Sequence, residues 1–203
     1  MENKTRPVID EDGIAEYIPG VLNDADAQRV FSALLAQIPW RDEAVFIFGR
    51  WVTVPRKTCW FGNAQAVYRY SGVTHDPVPW LPLLLELRTR MQAQARSEFN
   101  SVLANLYRDG CDSMGWHADN EPELGADPTI ASLSLGATRL FSLQHRKTKR
   151  KVNVMLENGS VLIMRGSLQR HWRHSLPKTT QITPPRINLT FRFVHPAATS
   201  AGG

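Results

Sequence analysis

Hydrophobic residues recur along this chain at two different periods, and the change of period divides it. Over residues 24–38, Val30, Phe31, Leu34, Leu35 and Ile38 fall on one stripe at helical spacing. Asn23 and Asp24 are N-cap candidates for that helix, and Pro39 and Trp40 close it. Residues 82–97 predict a second helix, with Leu83, Leu84, Leu87 and Met91 on one face and Arg88, Arg90 and Arg96 outside. Both read as buttresses against a sheet. Between them, residues 45–57 are dense in β-branched and aromatic side chains and predict two strands joined at Gly49. From residue 101 onward the pattern turns to short strands, at 101–107, 130–135, 139–143, 152–156, 160–164 and 186–194. Asn158-Gly159 predicts a hairpin between two of them. Residues 1–20 read as an irregular lead-in and residues 196–203 as a disordered tail. A single domain over residues 21–195 follows, mostly β with flanking helices: a jelly roll carrying two outer helices.

Composition narrows the class only slightly. A hydrophobic content of 42% and a charged content of 21% are those of a globular domain with a substantial core. Two cysteines, Cys59 and Cys111, are too few for a disulfide framework and indicate a reducing compartment. The first residues have no apolar core of a signal peptide, and no apolar run is long enough to span a bilayer. A monomer without a membrane association is expected, cytoplasmic in a bacterium or nuclear in a eukaryote. The net charge of +5 permits binding to a polyanion. Aromatic and basic residues interleave at Trp60, Phe61, Tyr68, Arg69 and Tyr70, which suits stacking on bases and holding of phosphates. Phe46, Trp51 and Trp60 read instead as core.

Candidate chemistry begins at Met114-Gly115-Trp116-His117-Ala118-Asp119. In an extended strand His117 and Asp119 project to one face, where an imidazole and a carboxylate can take two positions on a divalent metal. A second histidine would complete a two-His-one-carboxylate triad, the donor set of non-haem iron oxygenases. His171 and His174 are the candidates, in a later strand. An oxygenase of this kind needs cationic anchors for a dicarboxylic keto acid, and arginine serves best through bidentate pairing. The segment Arg186-Ile187-Asn188-Leu189-Thr190-Phe191-Arg192 supplies them, because Arg186, Asn188, Thr190 and Arg192 share one strand face. The competing reading is a solvated polar face on an edge strand.

Taken together, His117-x-Asp119, His174 in His-Ser-Leu-Pro, and Arg186-x-Asn188-x-Thr190-x-Arg192 resemble the AlkB family of Fe(II)- and 2-oxoglutarate-dependent nucleic-acid dealkylases. Asn105-Leu106-Tyr107 is similar to the family's Asn-x-Tyr pair. The likeness runs from about residue 46 to 194 and is closest to the branch that repairs duplex DNA. It implies a double-stranded β-helix with an N-terminal nucleotide-recognition lid over about residues 45–75. It further implies Fe(II) on His117, Asp119 and His174, and 2-oxoglutarate on Asn105, Tyr107, Arg186, Asn188 and Arg192, with dioxygen as co-reactant. The implied activity is oxidative demethylation of bases such as 1-methyladenine and 3-methylcytosine in double- or single-stranded DNA, with RNA an open alternative. A base inside a duplex must be flipped out to react. By resemblance Tyr70 and Tyr68 stack on that base, Phe48 is the wedge that fills its place, and Arg56, Asn120 and Glu121 are further substrate-side residues.

Arg50 and the run His145-Arg146-Lys147-Thr148-Lys149-Arg150-Lys151 suit phosphate contact, with Arg146, Lys147, Lys149 and Arg150 as the backbone ligands. Asn120 stands where the duplex-repairing branch carries a second acid, and Lys178-Thr179-Thr180 replaces its basic cluster. Two alternatives remain: an oxygenase of the same cofactors acting on a protein or lipid, and a nucleic-acid-binding module without catalysis.

Overall fold

The first half of the chain contributes strands β1 (Arg6–Ile9), β2 (Ile14–Ile18), β3 (Arg41–Ile47), β4 (Arg50–Gly62), β5 (Tyr68–Tyr70) and β6 (Val73–His75). Helix α1 (Asp24–Gln37) lies between β2 and β3, and α2 (Pro82–Ala95) follows β6. The second half contributes β7 (Ser101–Tyr107), β8 (Met114–His117), β9 (Ile130–Gly136), β10 (Arg139–His145), β11 (Lys151–Leu156) and β12 (Val161–Arg165). A short helix α3 (Leu168–His171), β13 (Trp172–Leu176) and β14 (Arg186–Arg192) complete it. These elements come from a computed structural model that describes residues 4–47, 49–70, 73–181 and 183–196, without the side chains of 45–47, 68–70 and 73–75. The tail expected over residues 196–203 lies, from 197 on, outside the described residues.

Two sheets face each other. The larger has the order β1-β2-β12-β9-β14-β7-β4-β3 and the smaller β11-β10-β13-β8. Successive strands from β7 onward alternate between the sheets, except for the β10–β11 hairpin, so the expected jelly roll is what forms. β14 lies between β9 and β7, and all seven of its residues are buried. The edge-strand reading of its polar face is thereby removed. The outer face of the larger sheet is covered by the two long helices. Asn23 caps α1 through a side chain that accepts from the Asp26 N–H at 2.9 Å. Val30, Phe31 and Leu34 then pack with Ala131, Leu133, Leu135, Ile187, Leu189 and Phe191. Burying each large side chain there stabilises the fold by about 1.5–3 kcal/mol. Between the sheets, one end is filled by Tyr17, Ile130, Leu143, Leu162 and Trp172. The other end is polar, and the site lies there.

The structure departs from the sequence reading at several points. The lead-in expected to be irregular contains the β1–β2 hairpin, which extends the larger sheet through β12. Its short strands, with Pro7 in the first, carry too few alternations for periodicity to register. Trp51, expected in the core, is 64% exposed beside the Gly49 turn, whereas Trp60 is buried as expected. Helix α2 ends sooner than expected, at Arg96 in the left-handed region.

Asn158-Gly159 does not close a hairpin, because β11 and β12 belong to different sheets. The turn chemistry is right but the chain crosses the sandwich. Gly159 has φ +71°, and a Cβ there would meet the Leu22 carbonyl oxygen at 2.2 Å. Gly159→Ala is therefore expected to destabilise the fold by about 3 kcal/mol, combining left-handed strain with the clash. A shifted denaturant midpoint with unchanged slope would show it; an unchanged midpoint would refute it. Among the described residues no helix is long and apolar enough to cross a membrane.

Candidate active site

The polar end of the sandwich is assembled by strand register. Asn188 on β14 pairs opposite Asn105 on β7, and Arg186 opposite Tyr107. On the other side Asn188 faces Ser134 and Thr190 faces Ser132 of β9. Because side chains alternate, these groups share one face, and all but Ser134 line one cavity, while their apolar neighbours face the helices.

His117, Asp119 and His174 converge at this cavity. His117 closes β8 and lies directly across from His174 on β13. Their Nε2 atoms are 3.1 Å apart, with the rings edge to face. The strand stops at His117, so Asp119 does not share its face by pleating, as the sequence suggested; it comes from the following loop. Two interactions hold it there. Gln169 Oε1 accepts from the Asp119 N–H at 3.1 Å, and Arg192 Nη2 donates to Oδ1 at 2.7 Å. That leaves Oδ2 facing His174 Nε2 at 3.9 Å.

Protonation favours metal binding. The Nδ1 of His117 lies 2.8 Å from the Gly115 carbonyl, a bond that requires hydrogen on Nδ1 and leaves the Nε2 lone pair free. Burial pushes the imidazole of His117 below its ordinary value, only partly offset by Asp119. His174 is pushed down to about 3 by burial and by His117. Burial pushes Asp119 up, but Arg192 and the two histidines outweigh it and hold the carboxyl below its ordinary range. Two neutral imidazoles and one carboxylate result. Nitrogens about 2.1 Å from one ion at right angles stand about 3 Å apart, as these two do.

Deeper in the cavity, Arg186 is fully buried with its guanidinium over the Tyr107 ring at 5.3 Å. Its Nη2 donates to Ser134 Oγ and Asn188 Oδ1 at 2.9 and 2.7 Å, while Nε has no partner. Burial, together with the Arg139 charge, lowers its pKa to about 10, so it stays cationic. No carboxylate pairs with it among the described residues. Such a cation is costly unless an anion joins it. The donor set at one end and the uncompensated cation at the other fit a metal and a dicarboxylate together.

The sequence missed several supporting residues. Phe141 stacks on His174 at 5.3 Å. Arg139 is buried and donates to the carbonyls of Asp109, Asp112 and Pro177, fixing the loop after β7 against the chain after β13. Ser132 and Ser134 were legible as polar residues at period two in an apolar strand, but Gln169 and Arg139 carried no local signal.

Arg108 donates to Asp112 through its backbone N–H, Nε and Nη2, each at 2.8 Å. Burial pushes the Asp112 carboxyl up, but these bonds and the Arg108 and Arg139 charges outweigh it, so it titrates below its ordinary value. Its contribution to stability is therefore complete above the ordinary carboxylate range and is lost as pH falls through the lowered value. Asp112→Asn is expected to cost about 2 kcal/mol near pH 7, with the difference from the parent shrinking in acid. Denaturation at neutral and acidic pH reads this directly; a pH-independent difference would contradict it.

Other sequence candidates are dispersed. Arg56, expected on the substrate side, is buried with Nε donating to Asn105 Oδ1 at 2.8 Å, beside the keto-acid residues. Asn120 is exposed and Glu121 half-buried in the loop beyond Asp119. Tyr68 and Tyr70 lie in β5, but their side chains, and Phe48 entirely, are outside the described residues. Arg50 is exposed at the start of β4. Arg146, Lys147 and Lys149 are exposed at the β10–β11 turn, and Arg150 there pairs with Glu11 at 2.7 Å. His171 lies on α3 outside the cavity, in a second cluster with Asp12 and His145. In that cluster His145 Nδ1 accepts from the Thr148 N–H, so Nε2 carries the hydrogen toward Asp12 at 3.0 Å. This bridge pins the β1–β2 turn to the basic turn and leaves His145 no lone pair for a metal.

Residues 15–192 match the family described as the 2OG-Fe(II) oxygenase superfamily. The chain is 40% identical to DNA oxidative demethylase ALKBH2 of Mus musculus, over 85% of this chain and 77% of that protein. It is 39% identical to alpha-ketoglutarate-dependent dioxygenase alkB homolog 3 of Bos taurus, over 88% of this chain and 65% of that protein. The chain belongs to the AlkB family of 2OG-Fe(II) oxygenases. Fe(II), 2-oxoglutarate and dioxygen are the cofactors and co-reactant of that superfamily, and they match the donor set and buried cation described above. The solved structure of OsALKBH1 superposes with a TM-score of 0.61 at 19% identity, covering 92% of this chain and 98% of that one, which is a likeness of fold.

Proposed function

We propose that this protein removes methyl groups from the ring nitrogens of alkylated DNA bases by oxidation coupled to 2-oxoglutarate decarboxylation. Support comes first from one arrangement: the His117–Asp119–His174 cluster sharing a cavity with Arg186, a buried cation that lacks a carboxylate partner among the described residues. Relatives whose names state DNA oxidative demethylation supply the substrate class.

His117 Nε2, His174 Nε2 and Asp119 Oδ2 would hold Fe(II). Arg186 lies at the Tyr107 end of the cavity and Arg192 at the Asp119 end, so a keto acid with two carboxylates is held between them. Asn105, Tyr107 and Asn188 complete its polar surroundings. Arg192 also fixes which carboxylate oxygen of Asp119 turns away from the metal position. With iron bound, 2-oxoglutarate and dioxygen supply the oxidation, giving succinate and carbon dioxide, and the hydroxylated alkyl group leaves the base as an aldehyde. Apolar walls, buried at Met164 and Leu176 and half-buried at Leu103, Met114 and Phe141, restrict water near the reacting groups. Tyr68, Tyr70 and Phe48 are proposed to hold the flipped base and its vacated place, with Asn120 and Glu121 at the mouth.

Matched single- and double-stranded oligonucleotides carrying 1-methyladenine or 3-methylcytosine test this by mass spectrometry. Loss of one methyl group with equivalent succinate is expected. No demethylation in any strand context, with succinate still formed, would move the substrate to another class.

A further inference from the structure

The outer face of the smaller sheet carries a row of basic and aromatic side chains. None of its four strands, β8, β10, β11 and β13, contains an aspartate or glutamate. With His117, His174, Phe141 and Leu143 turned inward, the alternate residues point outward. Register lines several of them up across the sheet. Lys151 pairs with Gln144, and Gln144 with Arg173. Arg173 in turn lies over the Trp116 ring at 5.1 Å on the edge strand.

This row is ordered before any ligand arrives. Arg173 donates from Nε and Nη2 to Gln144 Oε1, at 3.1 and 2.5 Å, and its guanidinium is stacked on the indole. Two contacts fix a side chain that would otherwise lose much rotamer freedom on binding. Trp116 is 39% exposed, and its neighbour in sequence is the metal-cluster residue His117. At the other end of the row, Lys151 continues into the exposed turn bearing Arg146, Lys147 and Lys149. Four strands span about 14 Å from edge to edge. The result is a track that begins at the cavity strand with an aromatic surface and runs outward over a fixed cation and then exposed ones, with no opposing carboxylate on its strands.

We propose that the Trp116–Arg173–Gln144–Lys151 row carries the single strand flanking the target base. A base stacks on Trp116, and Arg173 and Lys151 contact the phosphates that follow. Charge and chemistry select the occupant: an aromatic platform with spaced cations matches a nucleic-acid strand, in which bases and phosphates alternate. The inference rests on the nucleic-acid reading of the cavity and adds a binding surface outside it.

Fluorescence anisotropy with an unmodified oligothymidylate of about 16 nucleotides, over a range of salt, tests the row in the full-length chain. Arg173→Gln and Lys151→Gln are each expected to lower the slope of log K against log salt by about 0.7. Arg90→Gln makes the same change of charge on the exposed side of α2 and should leave the slope alone. Trp116→Ala is expected to weaken binding about fivefold or more, and Trp116→Phe to restore most of it. All these side chains are at least partly exposed, so the variants should fold, which circular dichroism verifies. Parental slopes in Arg173→Gln and Lys151→Gln, in a protein that still binds and demethylates oligonucleotides, overturn the row and leave the cavity function standing. Equal loss in Arg90→Gln would overturn it as a simple effect of net charge. A parent protein that neither binds nor demethylates nucleic acid would overturn both.

Discussion

Replacing His174 with alanine is expected to abolish 2-oxoglutarate turnover with added Fe(II), while the protein remains folded. The imidazole supplies one of three converging ligand atoms, and its Nε2 lies 3.1 Å from that of His117. Removing it leaves one imidazole and one carboxylate, too few to retain the ion against water. The loss should exceed the roughly 10- to 100-fold cost of losing an outer partner of a metal ligand. Structure should survive better than function, because the metal-free protein holds His174 through packing with Phe141, and its buried Nδ1 has no hydrogen-bond partner. Metal titration, followed by the absorbance or fluorescence change on adding Fe(II) or a redox-silent substitute, should show loss of the site. Parental turnover in the variant would exclude His174 as a ligand.

Arg186→Met separates stability from ligand binding, and its two effects have opposite signs. In the ligand-free protein Arg186 is fully buried, without a carboxylate partner among the described residues. A methionine of similar length removes a desolvated cation, so the unliganded variant should be as stable as the parent or more so. With 2-oxoglutarate present the order reverses. The lost bidentate, charge-assisted contact is expected to raise the KM for 2-oxoglutarate by about 100-fold or more. It should also remove most of the rise in melting temperature that the keto acid gives the parent. The shift on ligand addition is the decisive reading. A variant destabilised without ligand, yet still stabilised by 2-oxoglutarate to the parental degree, would make Arg186 a structural residue only.

These expectations rest on features that were legible to different degrees. Strand β14 could be read almost completely from Arg186 to Arg192, because alternation of polar and apolar residues survives in any sheet with two distinct faces. Its central position could not be read, since periodicity is the same for an edge strand and a buried one. The Asn158-Gly159 turn shows the same limit. Local chemistry specified a tight turn with a left-handed glycine, but whether the next strand pairs with the last or crosses to the other sheet depends on distant partners. Helix α1 was read correctly because a cap and an apolar stripe are both local. The β1–β2 hairpin was missed because its stability comes from pairing with β12, more than 140 residues away in sequence.

The sequence alone determined the donor set: two histidines, an aspartate, and a strand bearing two arginines and an asparagine on one face. Residue identity and alternation carry that information, and folding does not alter it. Only tertiary structure decided what those groups do to one another. Register placed Asn105 and Tyr107 opposite Asn188 and Arg186, and put His117 across from His174. Long-range packing brought Gln169 to the Asp119 backbone and Arg192 to its side chain. It also joined Lys151, Gln144, Arg173 and Trp116, from four strands, into one row. Distances and burial set protonation and charge compensation, and both arise between residues that no local pattern connects.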